Sequence, residues 1–280
     1  MSVPGAAKGS PVRVATAAIV GLAAAALVVG FGPQLIAASG VIGADGVYGE
    51  TVFTLAIFVP LLVMAIVGGR LTGIATLNLG ARPGARLAQG AAIGFGGLLL
   101  AIGYAAIAGT LVRGAGTTLS VVSLGLGALV VLVQVTAEEV YFRGWLQPLV
   151  ATAWGMRIAV PVVAIGFALL HVAGGLRGPI ELLNLLLGGL LFGLLTARGG
   201  GLAGAIGAHL AWNGAEQLGF GLDPNPGIGG YGALVDYDLV GKALWGGSDA
   251  GLNASVAMTI SLLALLVPLV LLSRRRPTQS

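Results

Sequence analysis

The sequence predicts an all-α fold, a polytopic transmembrane helical bundle of about eight spans. Of the 280 residues, 57% are apolar and only 9% are charged, and the mean hydropathy is +1.00. A soluble domain carries about 25% charged residues. The apolar residues also fall into stretches of about 20, the length that a helix needs to cross the hydrocarbon core of a bilayer. Composition and stretch length together place the chain in the membrane class.

The predicted spans follow one another along most of the chain. They cover residues 14–36, 51–69, 89–112, 118–145, 158–174, 180–197, 202–219 and 254–272. The first apolar stretch is longer than that of a secretory signal, so we interpret it as a span. We therefore divide the chain into a cytoplasmic N-terminal tail of residues 1–13, a membrane domain of residues 14–272 and a basic cytoplasmic C-terminal tail of residues 273–280.

Two predicted connections are longer than the others. We expect residues 70–88 to form an inner loop or a surface helix. Residues 220–252 contain the turn signals Asp-Pro-Asn-Pro-Gly and Trp-Gly-Gly-Ser-Asp, and we expect them to form an outer loop. The sequence leaves open whether that loop covers one mouth of a site or only connects two spans.

The basic residues predict the orientation of the bundle. With eight spans both termini lie on one side, and we assign that side to the cytoplasm. The predicted inner residues are Lys8, Arg13, Arg70, Arg82, Arg86, Arg143, Arg157, Arg198, Arg274, Arg275 and Arg276, and the predicted outer ones are Arg113, Arg177 and Lys242. This bias agrees with the positive-inside rule. The Ala- and Gly-rich composition favours a bacterial plasma membrane.

Composition also excludes some functions. The chain has no cysteine, which rules out disulfides, thiolate metal sites and a cysteine nucleophile. The net charge of +4 comes mostly from tails and loops, so we interpret it as membrane orientation and expect no nucleic-acid partner. The 49 glycines are scattered without a repeat, and small residues of this kind allow membrane helices to approach closely.

An acidic pair stands at the end of the fourth predicted span. The segment reads Glu138-Glu139-Val-Tyr-Phe-Arg143, and charged residues at membrane depth are costly enough to suggest a function. Glu139 and Arg143 are four residues apart and share a helix face, so the arginine can neutralise that glutamate. Glu138 points about 100° away and is left for another partner, as a general base requires. The alternative is an ion-pair network that only holds helices together.

The two histidines of the chain follow in later spans. His171 is four residues after Phe167, and His209 is four residues before Asn213. The last pair presents an imidazole and an amide on one helix face, and an amide N–H can stabilise an oxyanion. From the predicted span ends, Glu138 and His209 lie about 10 Å from the inner face and His171 about 20 Å. A tilt, a later helix start or a kink near Pro161 would be needed to align them.

These three motifs resemble the CAAX-protease and bacteriocin-processing (CPBP, or Abi) intramembrane proteases, relatives of the Ras-converting CAAX endoprotease. The family pattern is Glu-Glu-x-x-x-Arg, then Phe-x-x-x-His, then His-x-x-x-Asn. The resemblance covers about residues 120–218, and we place the protease core at about 118–219. The glycine-rich stretch from Gly188 to Gly193 is also similar to the family.

The resemblance implies an integral membrane endopeptidase, with catalytic residues Glu138, His171, His209 and Asn213 and supporting residues Glu139, Arg143 and Phe167. Glu138 would activate water with His171 as its partner, and His209 and Asn213 would hold the oxyanion. Glu139 and Arg143 would support the site or face the substrate. The substrate would be a membrane-associated or C-terminal peptide that enters from the cytoplasmic leaflet. Relatives act on prenylated C-terminal peptides or process bacterial peptides.

Three questions stay open from sequence. Glu138, His171 and His209 could form a zinc set, but the His-Glu-x-x-His helix of many zinc peptidases is absent; we favour metal-free glutamate chemistry. A proton- or ion-coupled transporter would use the same buried residues, although the inverted repeats common in transporters are not evident. A non-catalytic membrane scaffold is the third interpretation.

Overall fold

The computed structural model describes residues 9–39, 46–116, 120–176, 178–225 and 230–274. Lys8, Arg177, Arg275 and Arg276 of the predicted charge pattern, both chain ends and residues 226–229 of the predicted outer loop lie outside the described residues. The helices are α1 (Pro11–Ala38), α2 (Val47–Thr72), α3 (Pro83–Ile107), α4 (Val121–Glu139), α5 (Gln147–Trp154), α6 (Met156–Ala173), α7 (Pro179–Gly199), α8 (Ala203–Gly214) and α9 (Val256–Arg274). Two π-helical segments, Val140–Leu146 and Ala215–Gly219, continue α4 and α8.

Six helices of the described chain are long and apolar enough to cross a membrane. They are Pro11–Ile36, Val47–Thr72, Pro83–Ile107, Val121–Trp154, Met156–Ala173 and Pro179–Gly199. Helix α9 contributes the shorter apolar stretch Val256–Leu271. The predicted seventh span is helical from Ala203 to Gly219 but belongs to neither group. The prediction of an all-α membrane bundle is confirmed, and the chain is an integral membrane protein.

The ends of several predicted elements are wrong. Helix α1 begins at Pro11, inside the predicted N-terminal tail. The predicted inner loop or surface helix of residues 70–88 is only a short connection, because α2 continues to Thr72 and α3 begins at Pro83. Gly73 ends α2 in the left-handed conformation with a φ of 71°. Pro83 is suited to a first helical position, where no backbone N–H is needed.

The fourth rod is longer than the predicted span 118–145. Helix α4, its π segment and α5 run without a break from Val121 to Trp154. Glu138 is 16 residues before Trp154, and His171 is 15 residues after Met156, where the antiparallel helix α6 begins. At about 1.5 Å per residue both lie roughly 22–24 Å from the turn at Gly155. The predicted end of the fourth span near Trp145 was therefore wrong, and, measured from this turn, no kink is needed to bring Glu138 level with His171.

Two apolar clusters form the core. One joins α1, α2, α6 and the Val140–Leu146 segment, and the other joins α3, α7, α8 and α9. Helices α3 and α8 cross at Gly90 and Gly94, where a Cβ would collide with the carbonyl oxygens of Gly204 and Ala208. This small-residue spacing brings the two backbones into contact and fixes α8, which carries His209.

A small sheet joins the outer connection to the segment between α3 and α4, although the sequence predicted no strand. Its strands are β1 (Leu111–Arg113), β2 (Leu222–Asp223) and β3 (Tyr237–Leu239), in the order β1-β3-β2. The same connection is fastened to the helices at Tyr231, whose hydroxyl lies 3.2 Å from Thr51 Oγ1 and whose carbonyl accepts a hydrogen bond of 2.8 Å from Ser123. These contacts hold the connection against α2 and α4.

Candidate active site

A cavity of about 430 Å³ brings together the four residues predicted to be catalytic. Glu138 of α4, His171 of α6, and His209 and Asn213 of α8 all line it. The cavity also receives residues from α2 and from the outer connection, including Asn225, Ala250 and Asn253. The outer connection is therefore part of the cavity wall and not only a link between two helices.

The two adjacent glutamates occupy different environments. Glu139 is fully buried, whereas Glu138 is 7% exposed and lines the cavity. Immediately after them the helix changes from α to π geometry over Val140–Leu146. Segments of this kind occur often at functional sites, because the extra residue in the turn changes the direction of the side chains that follow.

Behind the cavity, Arg143, Glu139 and His209 form a hydrogen-bonded chain. Arg143 Nη1 donates to Glu139 Oε1 at 3.1 Å, and Nη2 donates to the carbonyl oxygen of Gly189 at 3.2 Å. The same Glu139 oxygen lies 2.9 Å from His209 Nδ1. A carboxylate that is paired with arginine can only accept, so Nδ1 carries the proton. Glu139 and Arg143 do not line the cavity.

The ring of His209 lies between the two carboxylates. Its Nε2 is 3.8 Å from Glu138 Oε2, on the opposite side from the bond to Glu139. Phe192 stacks on this ring at 4.5 Å with an interplanar angle of 14°. Glu139 thus fixes the tautomer of the imidazole, and Phe192 fixes the plane of the ring. The Nε2 atom faces Glu138.

Aromatic rings also surround the buried arginine. The guanidinium carbon of Arg143 lies 4.5 Å from the ring centre of Phe167, and 5.7 and 5.4 Å from those of Phe142 and Phe192. Cation–π contacts of this kind help to stabilise a cation that is removed from water. The sequence motifs included Phe167. They did not include Phe142 or Phe192, because an apolar residue in an apolar helix carries no distinguishing signal.

His171 is oriented by its own helix. Its Nδ1 lies 2.8 Å from the carbonyl oxygen of Phe167, and its ring packs edge-on against the Phe167 ring at 4.7 Å. A carbonyl oxygen can only accept, so Nδ1 donates and the neutral ring keeps its lone pair on Nε2. His171 therefore has an acceptor nitrogen available on the ring that lines the cavity.

The donors predicted as a zinc set do not have metal-ligand spacing. Among the described residues, the one group of three acidic or histidine side chains whose ligand atoms all lie within 4.8 Å of one another is Asp223, Asp236 and Asp238. That group belongs to the outer connection, where burial and the two neighbouring aspartates raise the pKa of Asp223. A three-ligand zinc site needs donors gathered about 2 Å from one point, and the cavity set does not fit this requirement.

The motif of the glycine-rich stretch has a structural role. Gly189 and Gly193 of α7 each present a carbonyl oxygen to the fourth rod: Gly189 accepts from Arg143, and Gly193 accepts a 3.1 Å bond from Gln147 Nε2. A Cβ on Gly193 would lie 2.8 Å from Gln147 Oε1. The close packing of α7 therefore supplies one backbone acceptor for the buried arginine and one for Gln147.

The four cavity residues predicted to be catalytic lie in a segment that is similar to a known family. Residues 118–215 match the family model described as Type II CAAX prenyl endopeptidase Rce1-like. The chain carries an Rce1-like segment. The family resemblance predicted from the three motifs is confirmed, and all seven predicted site residues lie within the Rce1-like segment. The matched family is one of endopeptidases, so the match indicates a membrane peptidase. No curated protein and no solved structure matches the chain.

Sequence reasoning missed two acidic residues of the cavity. Glu181, in the first turn of α7, and Glu216, in the π segment after α8, both line it. Glu216 lies one residue beyond the Rce1-like segment. Its spacing of three residues from Asn213 places both on one helix face, a signal that was available in the sequence. No such local signal connects Glu181 with the site.

Proposed function

We propose that this protein is an intramembrane endopeptidase that hydrolyses a peptide bond in a membrane-associated or C-terminal peptide substrate. The observation that carries the proposal is the meeting of Glu138, His171, His209 and Asn213 in one cavity, all four of them residues of the Rce1-like segment. A carboxylate, two oriented imidazoles and an amide are the groups that hydrolysis by activated water requires.

In the proposed reaction Glu138 is the general base. It takes a proton from a water molecule, and the water oxygen attacks the carbonyl carbon of the scissile bond. Nε2 of His171 is an acceptor and holds the second proton of the same water in a hydrogen bond. As the tetrahedral intermediate collapses, Glu138 passes its proton to the amine nitrogen and the C–N bond breaks. The carboxylate is then ready for another cycle.

The developing oxyanion is held by His209 and Asn213 in this proposal. A protonated His209 donates from Nδ1 to Glu139 and from Nε2 to the oxyanion, while the Asn213 amide donates a second bond. Glu139 stabilises the positive ring at 2.9 Å, and Arg143 holds Glu139. Glu139 and Arg143 are thus positioning residues, which distinguishes them from groups that touch the substrate.

The test is cleavage by purified protein in detergent and in liposomes. A chymotryptic peptide library from a bacterial proteome serves as substrate, and new termini are identified by mass spectrometry. Glu138→Gln and His171→Ala should reduce cleavage by about 10²- to 10⁴-fold, the usual contribution of a general base, with unchanged elution as a folded protein. Asp249→Asn changes an exposed carboxylate and should cleave normally. Wild-type rates in both cavity variants would disprove the peptidase assignment.

We further propose that both termini lie in the cytoplasm of a bacterial cell. The support is the distribution of the basic residues, of which eleven are predicted on the inner side and three on the outer side. This bias agrees with the positive-inside rule. Because the chain has no cysteine, an introduced cysteine reports its own side of the membrane. Cysteine at position 249 should react with an impermeant maleimide in intact cells, and cysteine at position 280 only after permeabilisation. The reverse pattern would invert the topology.

A further inference from the structure

The cavity is lined by more carboxylate side chains than the proposed reaction uses. Besides Glu138, it is lined by Glu181 and Glu216, which are 6% and 3% exposed. The three carboxylates come from three different rods, so they converge from separate parts of the chain. Neither Glu181 nor Glu216 belongs to the Glu-Glu-x-x-x-Arg, Phe-x-x-x-His or His-x-x-x-Asn pattern.

No cation of the described chain faces these two carboxylates across the cavity. The described residues that line it include no lysine and no arginine. The buried Arg143 lies behind the wall and forms its ion pair with Glu139. Within the described residues the cavity therefore has three acidic side chains, balanced only by the two histidines.

The neutral partners of the additional acids are few. Glu216 Oε1 accepts a bond of 3.3 Å from the Asn253 amide, and the carboxylate also interacts with the Trp212 side chain. Glu181 interacts with the backbone of Gly178 and, through space, with His171. The neighbouring amide of Asn184 is committed elsewhere: it donates to the carbonyl oxygens of Asn253 and Ser255 and accepts from Thr259, and so holds the start of α9.

We propose that Glu181 and Glu216 form a subsite for a cationic group, the lysine or arginine side chain of a peptide substrate. Buried carboxylates without a matched cation are costly, and a basic side chain that enters the cavity supplies the missing charge. The same carboxylates disfavour an acidic side chain at this subsite. The inference rests on the proposed function and narrows the substrate to a peptide with a basic residue near the scissile bond.

The geometry also predicts where the basic residue lies relative to the cut. Glu138 and the two additional acids share one cavity of about 430 Å³, a volume that holds only a few residues of a peptide. The lysine or arginine should therefore occupy a fixed position within a few residues of the scissile bond. A preference spread over many positions would point to general attraction of basic peptides by the protein surface.

The experiment uses the wild-type cleavage sites of the chymotryptic library to make matched synthetic peptides. Each set differs at one position, which carries lysine, glutamine or glutamate. For the wild-type protein, kcat/KM should fall by about tenfold or more from the lysine to the glutamine peptide, and further for glutamate. In Glu216→Gln and in Glu181→Gln, the lysine peptide should lose most of this advantage, so that the ratio of kcat/KM between the lysine and glutamine peptides falls toward one.

A double-mutant cycle changes the charge of the enzyme and the charge of the peptide in turn. It distinguishes recognition of the basic residue from an effect on protein stability. A purely structural role would slow both peptides equally, whereas a subsite gives a nonzero double-mutant-cycle term. Glu216→Asp keeps the charge and should keep the lysine preference. Asp249→Asn should change neither peptide.

The possible failures are distinguishable. Equal cleavage of lysine and glutamine peptides by the wild type, or equal losses in the variants, would overturn the subsite and leave the peptidase proposal standing. No cleavage of any peptide, with Glu138→Gln indistinguishable from wild type, would overturn the peptidase proposal and the subsite with it.

Discussion

Glu138 and Glu139 are consecutive residues of one helix, yet Glu139 lies in a buried ion-pair region and Glu138 lies in the cavity region. Glu139 is fully buried and lies within bonding distance of Arg143 and His209. Glu138 lines the cavity, and its Oε2 lies 3.8 Å from His209 Nε2. A carboxylate in a buried ion pair and a carboxylate that lines a cavity can thus be one residue apart when a helix presents them to different neighbours.

The largest effect is expected when the cation of the buried ion-pair region, Arg143, is removed. Arg143→Met should lower the free energy of unfolding in detergent by about 3–5 kcal/mol, because the buried Glu139 loses its cation and keeps only the bond to His209. The double variant Arg143→Met/Glu139→Gln should recover much of that loss. Denaturant titration followed by tryptophan fluorescence measures both. Glu138→Gln is the matched control and should keep the wild-type unfolding free energy. A single Arg143 variant as stable as wild type would show that the pair is not structural.

A smaller effect should follow from a substitution that loosens the His209 ring, which lies between Glu138 and Glu139. Phe192→Leu removes the stack on His209 while keeping an apolar side chain. An aromatic contact of this type is worth about 0.5–1.5 kcal/mol, so we expect kcat to fall by about 3- to 10-fold. The Phe95–Phe220 pair is stacked at 6.4 Å, and neither ring lines the cavity. Phe95→Leu is therefore the control, and equal rates in both variants would contradict an orienting role for Phe192.

The smallest expected effect is that of metal removal. The side chains of Glu138, His171 and His209 do not meet metal-ligand spacing, so we expect peptidase activity to survive dialysis against a chelator. Bound zinc is measured by mass spectrometry on the same sample. Loss of activity on chelation, with recovery on adding zinc, would replace the metal-free mechanism by a metal-dependent one.

Several features of the site could be predicted because they depend on local spacing. Residues four apart share a helix face, so the pairs Glu139–Arg143 and His209–Asn213 were recognisable in the sequence. The end of the helix that carries Glu138 was not predictable in the same way, since the apolar pattern gives no clear end between Trp145 and Trp154. Phe192 and Glu181 were missed because their roles come from contacts with residues far away in the chain.

By itself, the sequence determined that this is a helical membrane protein with an Rce1-like segment, since span length, charge depletion and three short motifs are properties of contiguous residues. Tertiary structure alone decided that Glu139 pairs with His209, that Glu138 opens to a cavity, and that Glu181 and Glu216 join it. The physical reason is that the energy of a charge in a membrane depends on which groups surround it in space, and helices distant in sequence supply those groups.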